Sequence, residues 1–111
     1  MTYVSLTLLH VKSIFAFRHF YPHAYKSFRA AKKSPACLEV KTTAFGFFDH
    51  STMSLWEDRA SMLEYLRCTD HLAAMKDFDK IGSGCVYGYE ASHLPDWSEA
   101  KELLQKYGRE V

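Results

Sequence analysis

Between Tyr3 and Val11 the chain alternates Val4, Leu6 and Leu8 against Ser5 and Thr7, a period of two that suits a strand with one face in a core. The periods that follow constrain the whole chain. Ser13 to Phe20 forms a short helical approach, and the first long helix starts near Tyr21, because Pro22 lacks an N–H and fits a first helical turn. Ala24, Tyr25, Phe28 and Ala31 then recur at helical spacing, until Ser34-Pro35 ends the run. Cys37 to Phe48 is a strand broken at Gly46, and Asp49-His50 turns the chain into a second strand ending at Trp56. Glu57-Asp58 opens a helix with an apolar stripe of Met62, Leu63 and Leu66. Thr69 or Asp70 caps a further helix carrying Leu72, Met75 and Phe78. Ile81-Gly82-Ser83-Gly84 is expected to be a turn before an aromatic strand from Cys85 to Ala91. A last helix, Ser98 to Tyr107, is introduced by Pro95-Asp96-Trp97 and stopped by Gly108.

That order is β-α-β-β-α-β with an extra C-terminal helix, which predicts an α+β, ferredoxin-like domain over residues 1–111. Its four strands would form one antiparallel sheet with helices on one face. The strands are rich in aromatic residues and poor in charge, so the other face is expected to pair with a second copy, sheet against sheet, in a homodimer.

The charge is unevenly spread. Residues 1–48 hold seven Lys/Arg against Glu39 alone, a net +6, whereas residues 49–111 hold seven against twelve acids, a net −5. A mixed field of this kind argues against a general nucleic-acid binder. No run of eighteen apolar residues occurs, so no membrane span is expected. Cys37, Cys68 and Cys85 are odd in number and form no C-x-x-C pair, which reads as reduced thiols in a cytoplasmic protein. Met1 to Val11 lacks a basic leader and reads as a strand, not a signal peptide.

Several steps resemble one superfamily. Ser54-Leu55-Trp56-Glu57 resembles the T-V-W-E step of the dimeric α/β-barrel proteins similar to antibiotic-biosynthesis monooxygenases. Pro22-His23-Ala24, Ser34-Pro35 and the run from Thr69 to Met75 follow in matching order. The chain most resembles the uncharacterised spheroidene-monooxygenase-like proteins. The resemblance implies a dimeric α/β barrel with a pocket between sheet and helices. It also implies a monooxygenase-type activity on an aromatic or polyene substrate, with or without haem. Relatives that degrade haem or oxidise quinols use an Asn, a Trp and a His. This chain contains no Asn. By the register of Trp56, the second-helix Trp position falls on Tyr65 and the later His position on or near Met75.

From the residues themselves, His71 is the leading catalytic candidate. An imidazole there suits an iron ligand or an acid–base group, and equally a helix N-terminal residue bonded to backbone. His71 and Met75 are four apart on one helix face and cannot grip opposite sides of one haem. Trp56, Tyr65, Met75, His10 and His50 are the candidates for lining an apolar ligand pocket, and they suit a plain core equally well. His19 and His23 have metal-capable spacing only if one helix crosses Pro22, and no acid or Cys lies near, so no metal site is assigned. Two functions stand side by side: an oxygenase-like enzyme, or a non-enzymatic dimeric module that binds an apolar small ligand.

Overall fold

The computed structural model describes residues 2–67 and 78–110, and of residues 78 and 79 the backbone only. His71, Met75, Cys68 and the expected cap at Thr69 or Asp70 lie outside the described residues. The strands are β1 (Tyr3–Val11), β2 (Cys37–Ala44), β3 (Asp49–Trp56), β4 (Gly82–Glu90) and a two-residue β5 (Arg109–Glu110). The helices are α1 (Phe17–Lys33), α2 (Arg59–Leu66), α3 (Phe78–Ile81) and α4 (Trp97–Tyr107). They form one antiparallel sheet in the order β2-β3-β1-β4-β5. The split β-α-β topology is as expected, with β5 added at the edge.

α1 begins four residues earlier than Pro22 suggests. A 3-10 turn over Ile14–Ala16, with the Ser13 hydroxyl accepting from the Ala16 N–H at 3.3 Å, leads directly into Phe17. Pro22 therefore sits in the second turn, at the cost of one backbone bond. The helix survives because its Ala16, Phe20, Ala24 and Ala31 face packs inward, and tertiary packing outweighs a local breaker.

α2 is capped by Asp58, whose carboxylate accepts from the Ser61 N–H at 2.8 Å. That bond holds the Asp58 carboxyl below the usual carboxylate range. A group lowered in the folded state stabilises above its unfolded pKa, and the contribution is lost as pH falls through the folded value. Asp58→Asn keeps an acceptor but no longer titrates. The melting temperature of wild type should exceed that of Asp58→Asn near about pH 6, and the gap should close towards about pH 3. A pH-independent gap would show that the cap carries no charge effect.

The sequence pattern predicts β2 from Cys37 to Phe48 and β3 from His50. Instead β2 ends at Ala44, and Phe45 to Phe48 form the hairpin tip. Leu38 is the extra residue of a bulge between Cys37 and Glu39, which leaves it out of the ladder and exposed.

Ile81 to Gly84 is not a turn. Ile81 ends α3, and Gly82 already pairs with Val11 as the first residue of β4. Glycine is needed there because a Cβ on Gly82 would run into the His10 carbonyl.

The larger departure concerns the faces of the sheet. α1 and α2 cover one face, but α4 covers the other, so the helices are not confined to one side. Side chains alternate along a strand, so each face is set by parity. Val4, Leu6, Met53 and Leu55 point to the α4 side and form a continuous core with Ala100 and Leu104. Asp96 caps α4 by accepting from the Glu99 N–H at 2.7 Å, and Gly108 closes it by donating to the Leu104 carbonyl at 2.9 Å. A second copy approaching this face meets α4 first. Among the described residues, no helix is long and apolar enough to cross a bilayer.

Candidate functional site

On the α1/α2 side the apolar packing among the described residues falls into two clusters. One is built on Trp56, fully buried at the end of β3 against Ala31 and Met62. Its indole N–H donates to the Ser54 hydroxyl at 2.8 Å, and its ring lies 5.0 Å from that of Tyr65. The Tyr65 hydroxyl donates to the Ser27 carbonyl at 2.8 Å, which ties α2 to α1. The other cluster surrounds His50, whose ring lies 4.8 Å from Phe20 and 5.8 Å from Phe17. His50 Nε2 is 3.2 Å from the Phe47 carbonyl. A carbonyl only accepts, so Nε2 is the donor of this bond.

Between these aromatic clusters the sheet presents short polar side chains. Ser5 faces Ser54 and Thr7 faces Thr52 across β1 and β3, and Thr7 faces Val86 across β1 and β4. Ser5, Thr7, Thr52 and Val86 all keep some solvent exposure beneath the helix layer. These short side chains on the central strands make a floor with hydroxyl groups, with an aromatic cluster at each end. Such a surface suits a flat apolar molecule with one or two polar substituents.

His10 does not join this floor. The β1 register places it with Leu8 and Leu6 on the α4 side, opposite Trp56 and Tyr65. There His10 Nδ1 lies 2.7 Å from Asp49 Oδ1 and donates to it. His10 also borders a cleft of about 280 Å³ with Leu8, Ser83, Gly84, Cys85 and Glu110. The five pocket candidates thus divide. Trp56, Tyr65 and His50 lie on the α1/α2 side, His10 lies on the other, and Met75 is outside the described residues. α1 does cross Pro22, so His19 and His23 share one helix, yet no group of three potential metal ligands occurs among the described residues.

Burial raises the pKa of the Cys85 thiol, and the nearby Glu110 carboxylate raises it further. Burial also raises that of Cys37. At neutral pH both should alkylate more slowly than a free thiol, since the thiolate is the nucleophile. Glu110→Gln should speed alkylation of Cys85 and leave Cys37 unchanged, as read by peptide mass spectrometry. Equal acceleration at both sites would refute the local charge effect.

The floor was legible in part. Ser5, Thr7, Thr52 and Ser54 stand out in the alternation, but a polar period-two face is ordinarily assigned to solvent. Nothing local says that helices will cover it.

An α+β domain with one split β-α-β sheet and helices on both faces is a fold shared with solved proteins. No family model and no curated protein matches the chain. Solved structures do. The cofactor-independent oxygenase SnoaB from Streptomyces nogalater is similar with a TM-score of 0.68 at 11% identity, over 86% of this chain and 98% of that one. An antibiotic biosynthesis monooxygenase is similar with a TM-score of 0.70 at 14% identity, over 84% of this chain and 100% of that one. A dimeric ferredoxin-like protein of unknown function from Jannaschia sp. CCS1 is similar with a TM-score of 0.70 at 14% identity, over 82% and 100%. At these identities the likeness concerns the fold. The chain has the ferredoxin-like fold of antibiotic-biosynthesis-monooxygenase-like proteins.

Proposed function

We propose that the protein is a monooxygenase-type oxidoreductase whose substrate is a flat hydrophobic molecule, aromatic or polyene, seated on the Ser/Thr floor. The observation that carries this reading is the floor itself: Ser5, Thr7 and Thr52, three partly exposed hydroxyl-bearing residues on two central strands, between the Trp56 and His50 clusters, with Ser54 buried beneath Trp56. The spheroidene-monooxygenase-like resemblance belongs to this proposal, as does a homodimer, which the dimeric neighbour supports.

A haem would need an axial donor facing the floor. Of the two described histidines among the pocket candidates, His10 lies on the other face and the Nε2 of His50 is held by the Phe47 carbonyl. Neither of these two histidines is placed to ligate a haem over the floor. Two groups can serve proton transfer. His50 is one, and His71, known from sequence position alone, stands as the second acid–base candidate.

The test is oxygen uptake with a panel of quinols and polyenes, with Thr7→Phe, His50→Gln and His71→Ala assayed beside wild type. Turnover by wild type and its loss in Thr7→Phe, with unchanged melting temperature, is the expected result. A second reading, a binding module for an apolar ligand, would replace it if Thr7→Phe abolished ligand binding while wild type never consumed oxygen. Unimpaired turnover in Thr7→Phe would remove the floor from the reaction.

A further inference from the structure

α1 carries five basic residues and no acid. Its inward face is Phe20, Ala24 and Ala31, yet it also displays a second apolar ridge. Ile14, Tyr21 and Tyr25 follow one another at helical spacing, and they are 66%, 57% and 66% exposed. Phe15, at the apex of the 3-10 turn, is 81% exposed. Phe47 from the hairpin tip, 69% exposed, packs edge-on to Phe17, whose ring in turn stacks on Tyr21. Large apolar side chains from two separate loops and one helix are thus gathered at one end of the molecule.

The bases border this ridge. Arg18 lies one turn before Tyr21 and Arg29 one turn after Tyr25, while the Lys32 ammonium sits 5.1 Å over the Phe28 ring. A protruding apolar apex, tyrosines along a helix and a cationic border are what an interfacial surface needs. The apolar groups enter the acyl boundary, and the bases meet anionic headgroups.

We propose that the Ile14–Phe15 turn and the adjoining outer ridge of α1 form a peripheral docking surface for an anionic lipid bilayer. The charge decides among occupants. A second copy meeting this patch through a two-fold axis would set Arg18, Arg29 and Lys32 of both copies against each other. A nucleic acid would engage the bases but leave Ile14 and Phe15 in water. A bilayer with anionic lipid satisfies both features. The proposal goes beyond the oxygenase reading and stands whether or not that reading holds.

The test is sedimentation of the full chain with vesicles of phosphatidylcholine alone and of phosphatidylcholine mixed with phosphatidylglycerol. Binding to the mixed vesicles only is expected, weakened by salt. Arg18→Gln/Arg29→Gln should bind roughly twenty-fold more weakly. Phe15→Ser should also lose binding, with an unchanged circular dichroism melt, since all three positions are exposed. Three results would overturn the proposal. One is no binding, or equal binding to both vesicles. Another is a salt-sensitive RNA shift that Phe15→Ser leaves intact while vesicles go unbound. The third is a change of oligomeric state in Phe15→Ser, measured by sedimentation velocity, which would assign the patch to a second copy.

Discussion

Trp56→Ala is expected to lower the free energy of unfolding by about 3–5 kcal/mol, the largest loss at any single described position on the α1/α2 side. Trp56 is fully buried and is the largest of the completely enclosed side chains. It joins the end of β3 to Ala31 of α1 and Met62 of α2, and it supports the Tyr65 ring that links those helices. Removing it leaves a void between three elements that are each fixed by the other two, so the site collapses poorly. A domain of this size has roughly 5–15 kcal/mol in total, so the variant should be partly unfolded at physiological temperature. Trp56→Phe separates packing from hydrogen bonding. It keeps most of the ring but leaves the Ser54 hydroxyl without its donor, and it should cost about 1 kcal/mol beyond the lost volume. Urea titration measures both. A loss of under 1 kcal/mol for Trp56→Ala would mean that the helix layer does not rest on this side chain.

The second large effect is on the opposite face. Leu104 is 2% exposed and seats α4 against Val4, Leu6, Met53 and Leu55. Leu104→Asp removes the packing, worth about 2–5 kcal/mol in similar cores. It also places a carboxylate where it has no partner, which adds several kcal/mol more. A terminal helix cannot bear that cost, so α4 should leave the sheet before the rest of the domain melts. The uncovered surface includes Val4, Leu6 and Leu55 from the central strands and the stacked Tyr87 and Tyr89 of β4. An apolar area of that extent on a small sheet promotes association. Light scattering after gel filtration should show higher oligomers, and hydrogen exchange should show rapid loss of protection in residues 97–107. An unchanged mass with a protected α4 would contradict its docking on this face.

The same face is set by contacts that no local sequence pattern carries. Apolar alternation in β1 predicts a core face, and the element order predicts helices on one face of the sheet with a second copy on the other. In the folded chain the apolar side of β1 is taken by α4, the last helix, and the polar side by α1 and α2. Distance along the chain gives no hint of this, because α4 returns to the sheet only after β4 is in place. The pocket residues divided for a related reason. His10 and Trp56 belong to different strands, and their relative side depends on the pairing of Tyr3 with Trp56, a contact across more than fifty residues. One residue of slippage would have put them together.

Pro22 shows the converse, a strong local signal outvoted by burial of Phe20 and Ala24 on either side of it. Gly82 shows a local signal with two readings. Glycine serves a turn, but it serves equally a strand whose backbone must pass close to His10.

The sequence by itself determined the order and kind of the elements. Alternation, helical spacing, the caps at Asp58 and Asp96 and the stop at Gly108 all act within a few residues. Only the tertiary structure decided which helix covers which face, and therefore that a hydroxyl-lined floor lies beneath α1 and α2 while His10 looks the other way. Register and layer choice are settled by contacts between distant segments, whose free energy exists only once the sheet has closed.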